Sequence, residues 1–272
     1  HATRQDALDT LEQFWGCVHH IFTDLLSIDG LRLRRPEWDK FPGAEHTDVL
    51  DTVMPCGRVL QSVGAHYLGQ HFSKVFDIKV NDENSYMTCI GVSTRALAAV
   101  LSMHGDDDGL VLPSVIAPYQ IIIVPIIGKK PDQELLAKLD EMKEQLINAG
   151  FRVRVDLNPQ KRPGEKYYYY QMKGVPLRID FGSRDLKDNK FVLVVRAIEG
   201  KKEYSLDNLV PACQEALRNY DEALKQRAQS HLKSRIVDCD DINKIPEILS
   251  QGGFARIPYF TMGKEGAEGA NR

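Results

Sequence analysis

The sequence predicts two successive domains of different class, an α+β domain on an antiparallel sheet and then an α/β domain with a mixed, mostly parallel sheet. Three observations carry this reading. Residues 48–68, DVLDTVMPCGRVLQSVGAHYL, hold two strand-like runs around a Pro55-Cys56-Gly57 turn, the pattern of an antiparallel hairpin. Beyond residue 119, strand-like and helix-like segments alternate, as in a sheet covered by helices. Between the two regions VLPSVIAPYQ, with prolines at 113 and 118, interrupts both periodicities. The domains are accordingly drawn at 1–115 and 119–225, with 226–272 as the incomplete start of a further one.

Residues 4–27 place Ala7, Leu8, Leu11, Phe14, Trp15, Val18, Ile21, Phe22 and Leu25 in an apolar stripe at helical spacing. RLRRPEWDKFPGAEHT (32–47), with two prolines and little periodicity, reads as a loop over a pocket or surface. After the first hairpin, FDIKVNDENSYMTCIGVS (76–93) reads as a second one, whose later strand feeds a helix capped by Ser93 or Thr94. In the second domain IIIVPII is a buried strand, and Pro131–Ala149 is an amphipathic helix on Leu135, Leu136, Leu139, Met142 and Leu146, closed by Gly150. FRVRVDL alternates as a strand, and a short polar helix or loop follows. VPLRIDFG and KFVLVVRAI are strands, and Ser205 opens a long helix through Leu224. From Ile236 come a short acidic segment and a glycine-rich strand.

The 272 residues are 43% hydrophobic and 27% charged, ordinary for a globular protein. A formal charge of −3 gives no whole-molecule attraction to nucleic acid, so any such binding needs a local basic patch. No apolar run approaches the roughly 20 residues of a membrane span, and no signal peptide opens the chain. Five cysteines, odd in number and without a C-x-x-C pair, point away from a disulfide framework or thiolate zinc site and toward a reducing, cytoplasmic setting. His1 leads straight into a helical pattern and GKEGAEGANR ends on no element, so the sequence reads as part of a longer polypeptide.

Arg95 is the first residue that calls for a chemical explanation. It opens the helix of the apolar run Ala96–Met103, where the helix dipole already presents positive charge, a misplacement that costs roughly 0.3–1 kcal/mol. It is either solvated or paired with an acid, or it holds a polyanion such as a nucleotide phosphate against the helix terminus. Gly91, just before it, lets a ligand approach the backbone. HGDDDGLVL (104–112) has the composition of a calcium loop but neither the alternate spacing of its ligands nor the terminal glutamate, so it reads as an exposed turn. His66 lies in a strand beside small residues; it is either a satisfied structural histidine, the commoner case, or lines a cavity there with Gln61. Phe41 is either core or the wall of a small apolar pocket. Cys89 reads as a buried, inert thiol. QKRPGEKYYYYQMKGVPLRIDFGSRDLKDNK interleaves bases and aromatics most densely, as a lysine-rich surface or as a platform for single-stranded RNA.

Taken in order, RRPEWDKFPGAEHT, GRVLQSVGAHYLGQHFSKVFDIKV, IGVSTRALAAVLSMHGDDDGLVLP and RPGEKYYYYQMKGVPLRIDFGSRDL resemble successive signatures of the archaeal/eukaryotic-type prolyl-tRNA synthetases, a class II family. The resemblance implies the C-terminal part of a class II antiparallel catalytic domain, then a mixed-sheet anticodon-binding domain. It implies ATP with Mg2+, L-proline and tRNA(Pro) as partners, no resident metal, a homodimer, and ligation of proline to tRNA through a prolyl-adenylate. Arg95 becomes the catalytic arginine on the ATP γ-phosphate, with Gln61 and Gly64 also on the nucleotide. Phe41, His66, Cys89 and Gly91 fall at the proline pocket, and Lys173, Arg178 and Arg184 at the tRNA. The chain departs from the family at Gly64, commonly Thr, at Ile90, commonly Trp or Tyr, and at Gln171, commonly Glu. Motifs 1 and 2, which precede these signatures in the family, have no counterpart in the sequence. A catalytically inactive tRNA-binding descendant and another class II ligase, threonyl or glycyl, are the alternatives.

Overall fold

A computed structural model describes residues 1–127, 132–197 and 200–258. The chain divides into two compact units, one of residues 1–24, 28–103 and 227 onward, the other of residues 25–27 and 104–226.

In the first unit, helix α1 (Arg4–His19) begins at Thr3, whose hydroxyl accepts from the Asp6 N–H at 3.1 Å and satisfies one of the orphan donors of the first turn. Ala7, Leu11, Trp15 and Val18 form its buried stripe. The helix expected through residue 27 changes to a π-helical turn at His20–Leu25, which rotates the stripe: Phe22 stays buried while Ile21 turns outward. Strands β1 (Leu31–Arg34), β2 (His46–Val53), β3 (Val59–Gly69) and β6 (Met87–Val92) make an antiparallel sheet in the order β1-β2-β3-β6. The hairpin at Pro55-Cys56-Gly57 forms as expected, closed by Gly57 N–H to Met54 C=O at 2.8 Å.

Two expectations need correction. Residues 32–34 are strand, not loop. Arg32 and Arg34 alternate onto the face where both reach Asp48, itself 6% exposed, so their charge is no obstacle to pairing. The strand leading into the next helix also pairs with β3 instead of closing a second long hairpin. The intervening residues make only helix α2 (His71–Val75) and the two-residue strands β4 (Lys79–Val80) and β5 (Glu83–Asn84). Helix α3 (Arg95–His104) follows β6 directly.

The second unit is a five-stranded sheet of β7 (Ile121–Ile126), β8 (Val153–Val155), β9 (Leu177–Gly182), β10 (Lys190–Val195) and β11 (Lys201–Ser205), in the order β11-β10-β9-β7-β8. Pairings of β7 with β8 and β9 are parallel; those of β10 with β9 and β11 are antiparallel. The sheet is therefore evenly mixed, where a mostly parallel one was expected. The reason is β11, a strand rich in Lys and Glu that no apolar pattern announces. Helices α4 (Gln133–Asn148), α5 (Pro163–Met172), α6 (Ser183–Lys187) and α7 (Leu209–Ser234) flank it.

Alternation along β7 sorts the core. Ile121 and Ile123 join Leu135, Leu139, Met142 and Leu146 of α4 on one face, while Ile122 and Val124 meet Tyr170 of α5 on the other. The long helix expected over 205–224 starts after a 3-10 turn and runs ten residues further, to Ser234. Beyond it, β12 (Ile236–Asp238) pairs in parallel with β13 (Phe254–Arg256) across helix α8 (Ile245–Ser250). This piece belongs to the first unit. Gly57 and Gly252, both at positive φ, approach so closely that a Cβ on Gly252 would lie 2.5 Å from the Gly57 backbone. The further domain expected over 226–272 extends past the described residues. Among the described residues no helix is long and apolar enough to cross a membrane.

Candidate functional site

One face of the first sheet gathers most of the candidate residues, and strand register explains how. Thr47 pairs with His66 and Val49 with Gly64 across β2 and β3, and His66 pairs with Cys89 and Gly64 with Gly91 across β3 and β6. Directly opposed residues point the same way, so His66, Gly64, Cys89 and Gly91 share a face. Simple alternation would place Gln61 on the other side. An irregularity in register at Leu50/Asp51 leaves Ser62 as an extra residue in β3 and brings Gln61 opposite Asp51, back onto the shared face.

Arg35, whose N–H donates to the Thr47 carbonyl at 2.8 Å, extends β1 along that face. Its guanidinium donates to Asp51 Oδ1 at 2.9 Å and to Gln61 Oε1 at 3.2 Å. Asp51 is 3% exposed, and burial pushes its carboxyl above the usual range, against the lowering effect of Arg35. With its oxygen engaged, Gln61 turns its amide nitrogen over Gly64, where a Cβ would come within 3.3 Å of it.

His66 is fixed by a similar chain. The Thr47 hydroxyl accepts from the Phe41 N–H at 2.9 Å and contacts His66 Nδ1 at 2.9 Å. In the tautomer where that hydroxyl donates to Nδ1, the ring proton sits on Nε2, the nitrogen that a Cβ on Gly64 would meet at 3.2 Å. Burial lowers the imidazole's pKa, so the ring is neutral near pH 7. The Phe41 ring lies 4.7 Å from it, centroid to centroid, and stays half-exposed.

Cys89 is exposed, contrary to the buried thiol expected, because β6 ends the sheet. A Cβ on Gly91 meets nothing within 4 Å, so packing does not demand a glycine there; its absent side chain keeps space open above the sheet. Arg95 is the first residue of α3, its N–H bonded to Ser93 Oγ at 3.3 Å. Its side chain is exposed, and among the described residues no carboxylate lies within ion-pairing distance. No protein acid relieves the helix-terminus misfit.

Because β6 runs antiparallel to β3, the end from which α3 departs is the Gln61 end. From that end, where α3 begins with Arg95, the face reads Gln61, Gly64 with Gly91, His66 with Cys89, and then Phe41 against His66. The four-residue span from Asp51 to Thr47 sets the Gln61 and His66 backbones about 13 Å apart, but their Nε2 atoms both lean over Gly64, where a Cβ would meet them at 3.3 and 3.2 Å. The sequence reading missed Arg35, Thr47 and Asp51. An acid inside an alternating strand was the available signal, since a buried aspartate needs a cation.

In the second unit, Arg178 lies 3.8 Å over the Tyr167 ring and donates to Asp180 at 2.9 Å. It shares a cavity of about 330 Å3 with Tyr167, Gln171 and the turn carrying Asp106 and Asp108. That turn is held by Arg196, 8% exposed, which grips Asp106 at 2.5 and 2.8 Å and the Leu110 and Gln171 carbonyls at 3.1 and 3.3 Å. Lys173 lines a different cavity, and Arg184 is exposed on α6 and lines neither.

Residues 120–216 match the profile of the anticodon binding domain. A proline–tRNA ligase of Methanosarcina mazei is 44% identical over 264 residues, covering 95% of this chain and 54% of that protein. One from Pyrobaculum aerophilum is 37% identical over 265 residues, with the same shares. Among solved structures, Giardia lamblia prolyl-tRNA synthetase in complex with prolyl-adenylate is 40% identical with a TM-score of 0.88, over 94% of this chain and 55% of that one. The Cryptosporidium parvum enzyme complexed with L-proline and AMP is 32% identical with a TM-score of 0.90, over 99% and 61%. The antiparallel sheet and the mixed sheet thus have the fold of the corresponding parts of these class II prolyl-tRNA synthetases, and the mixed sheet lies within the match to the anticodon binding domain. The chain spans about half the length of the curated relatives it matches.

Proposed function

We propose that this homologue of the prolyl-tRNA synthetases contributes part of an adenylation site and a tRNA-binding domain to a proline–tRNA ligase. The observation that carries the reading is the order of groups along one sheet face, an unpaired arginine at a helix start at one end and a small histidine–phenylalanine corner at the other. That order suits a nucleotide whose triphosphate points to Arg95 and whose α-phosphate faces an amino acid lying toward His66 and Phe41. Gln61 and Gly64 then border the nucleotide, while Cys89 and Gly91 border the amino acid. Residues 1–115 are the catalytic part and 119–225 the anticodon-binding domain, with Lys173, Arg178 and Arg184 on the tRNA side.

The reaction has two steps. The proline carboxylate attacks the α-phosphate of Mg·ATP and pyrophosphate leaves; the terminal ribose hydroxyl of tRNA(Pro) then attacks the prolyl carbonyl and AMP leaves. Neither step needs a protein nucleophile, so positioning and charge neutralisation supply the rate. Arg95 offsets charge on the departing pyrophosphate. Neutral His66, held by Thr47, presents a fixed N–H and an apolar ring face instead of a cation. Open space over Gly91 admits the acyl group. The working form is a homodimer in the cytoplasm, acting on L-proline, ATP and tRNA(Pro).

Amino-acid-dependent pyrophosphate exchange by the protein carrying this chain tests the reading. Proline alone among amino acids, threonine and glycine included, supports exchange. Exchange driven by another amino acid, or by none, would contradict it.

A further inference from the structure

Helix α5 presents two sides. Tyr167 faces the cavity shared with Arg178, whereas Tyr169 faces a second cavity of about 230 Å3, which adjoins the first at Tyr170 and Val175. The second cavity has apolar walls from Leu110, Leu112, Pro118 and Val175, and the rings of Tyr119 and Tyr169 stand at it, 36% and 40% exposed. Three cations lie over those rings: Lys161 Nζ is 4.5 Å and Lys173 Nζ 5.8 Å from the Tyr169 centroid, and the Arg154 guanidinium is 5.6 Å from that of Tyr119.

The best-buried cations of the unit are each held by an acid. Lys166 lies 3.5 Å from Asp156, Arg178 2.9 Å from Asp180 and Arg196 2.5 Å from Asp106. Arg154, Lys161 and Lys173 have no carboxylate within ion-pairing distance among the described residues. The cavity is smaller than the ~300 Å3 at which pockets for drug-sized ligands begin, so it suits one planar ring system. Its walls offer little polar readout, and stacking on aromatic faces tolerates any base.

We infer that this slot receives one unstacked nucleobase of single-stranded RNA, with its flanking phosphates held by Arg154, Lys161 and Lys173. The inference rests on the tRNA-binding role proposed for this domain and adds a stacking contact distinct from the Arg178 cavity. The slot supplies affinity and holds the strand, and the base in it is not selected by its edge.

The test uses the protein carrying this chain and tRNA(Pro) transcripts with 2-aminopurine placed singly at each unpaired anticodon-loop position. One position is quenched by the wild type. Tyr119→Leu/Tyr169→Leu, verified as folded by thermal unfolding, restores that fluorescence and weakens tRNA binding about tenfold. The Phe/Phe variant keeps both the quench and the affinity. Arg154→Ala/Lys161→Ala/Lys173→Ala makes the dependence of log K on log salt shallower by about 2, as loss of three single-strand phosphate contacts requires. A folded Leu/Leu variant that binds and quenches like the wild type overturns the slot while leaving the tRNA reading intact. A wild type that does not bind tRNA removes that reading, and the slot with it.

Discussion

At the residue scale, the informative unit is Arg35 with Asp51 and Gln61. An amide side chain can present either its oxygen or its nitrogen, and here one guanidinium settles which by occupying Oε1 at 3.2 Å. At the proposed nucleotide site Gln61 therefore offers a donor. Gln61→Glu keeps the shape and strengthens the contact to Arg35, yet it replaces the donor with a carboxylate. The expected result is a KM for ATP raised about tenfold to a hundredfold, with the KM for proline and the melting temperature unchanged. Arg35→Met, which frees the amide to flip, shifts ATP binding in the same direction by less. Steady-state exchange kinetics with each substrate varied in turn measures both, and an unaltered KM for ATP in the glutamate variant would remove the donor role.

At the element scale, the strands that were legible are the ones whose own residues bury an apolar face. IIIVPII and KFVLVVRAI announce themselves because both sit inside the five-stranded sheet. Strands β1 and β11 did not, since LRLR and KKEYS hold their place through cross-strand charge pairs such as Arg34 with Asp48 and Lys190 with Glu203. Gln61 shows the same limit within the site. Its type and position were legible, but its face depends on one extra residue in β3, which alternation cannot reveal. The turn at Asp106 also reads differently in three dimensions, because Arg196, 90 residues away, holds it. Arg196 hydrogen bonds hold the Asp106 carboxyl below its usual range, so the pair stabilises the second unit fully above the ordinary aspartate value of about 3.9. That contribution is lost as pH falls below it. Arg196→Met is expected to cost about 1.5–3 kcal/mol at neutral pH and to flatten this acid limb. Urea unfolding followed across pH 2–6 checks it, and an acid limb of wild-type size in the variant would refute the assignment.

At the scale of the whole molecule, a chain of net charge −3 gains its proposed tRNA contacts from placement and not from excess base. Acids neutralise Arg178 and Arg196 where they shape the fold, whereas among the described residues Arg154, Lys161 and Lys173 around the aromatic slot have no carboxylate within ion-pairing distance, Arg154 feeling Asp156 only at longer range. The same separation governs the first unit. Arg32, Arg34 and Arg35 each have a carboxylate, whereas Arg95 at the start of α3 has none among the described residues. The charge at Arg95 is what the proposed chemistry depends on. The most direct measurement is proline-dependent pyrophosphate exchange by Arg95→Ala in the protein carrying this chain, with thermal unfolding and tRNA affinity recorded alongside. The account predicts exchange reduced about a hundredfold or more, with unfolding and tRNA binding unchanged. Undiminished exchange in the folded variant would contradict it.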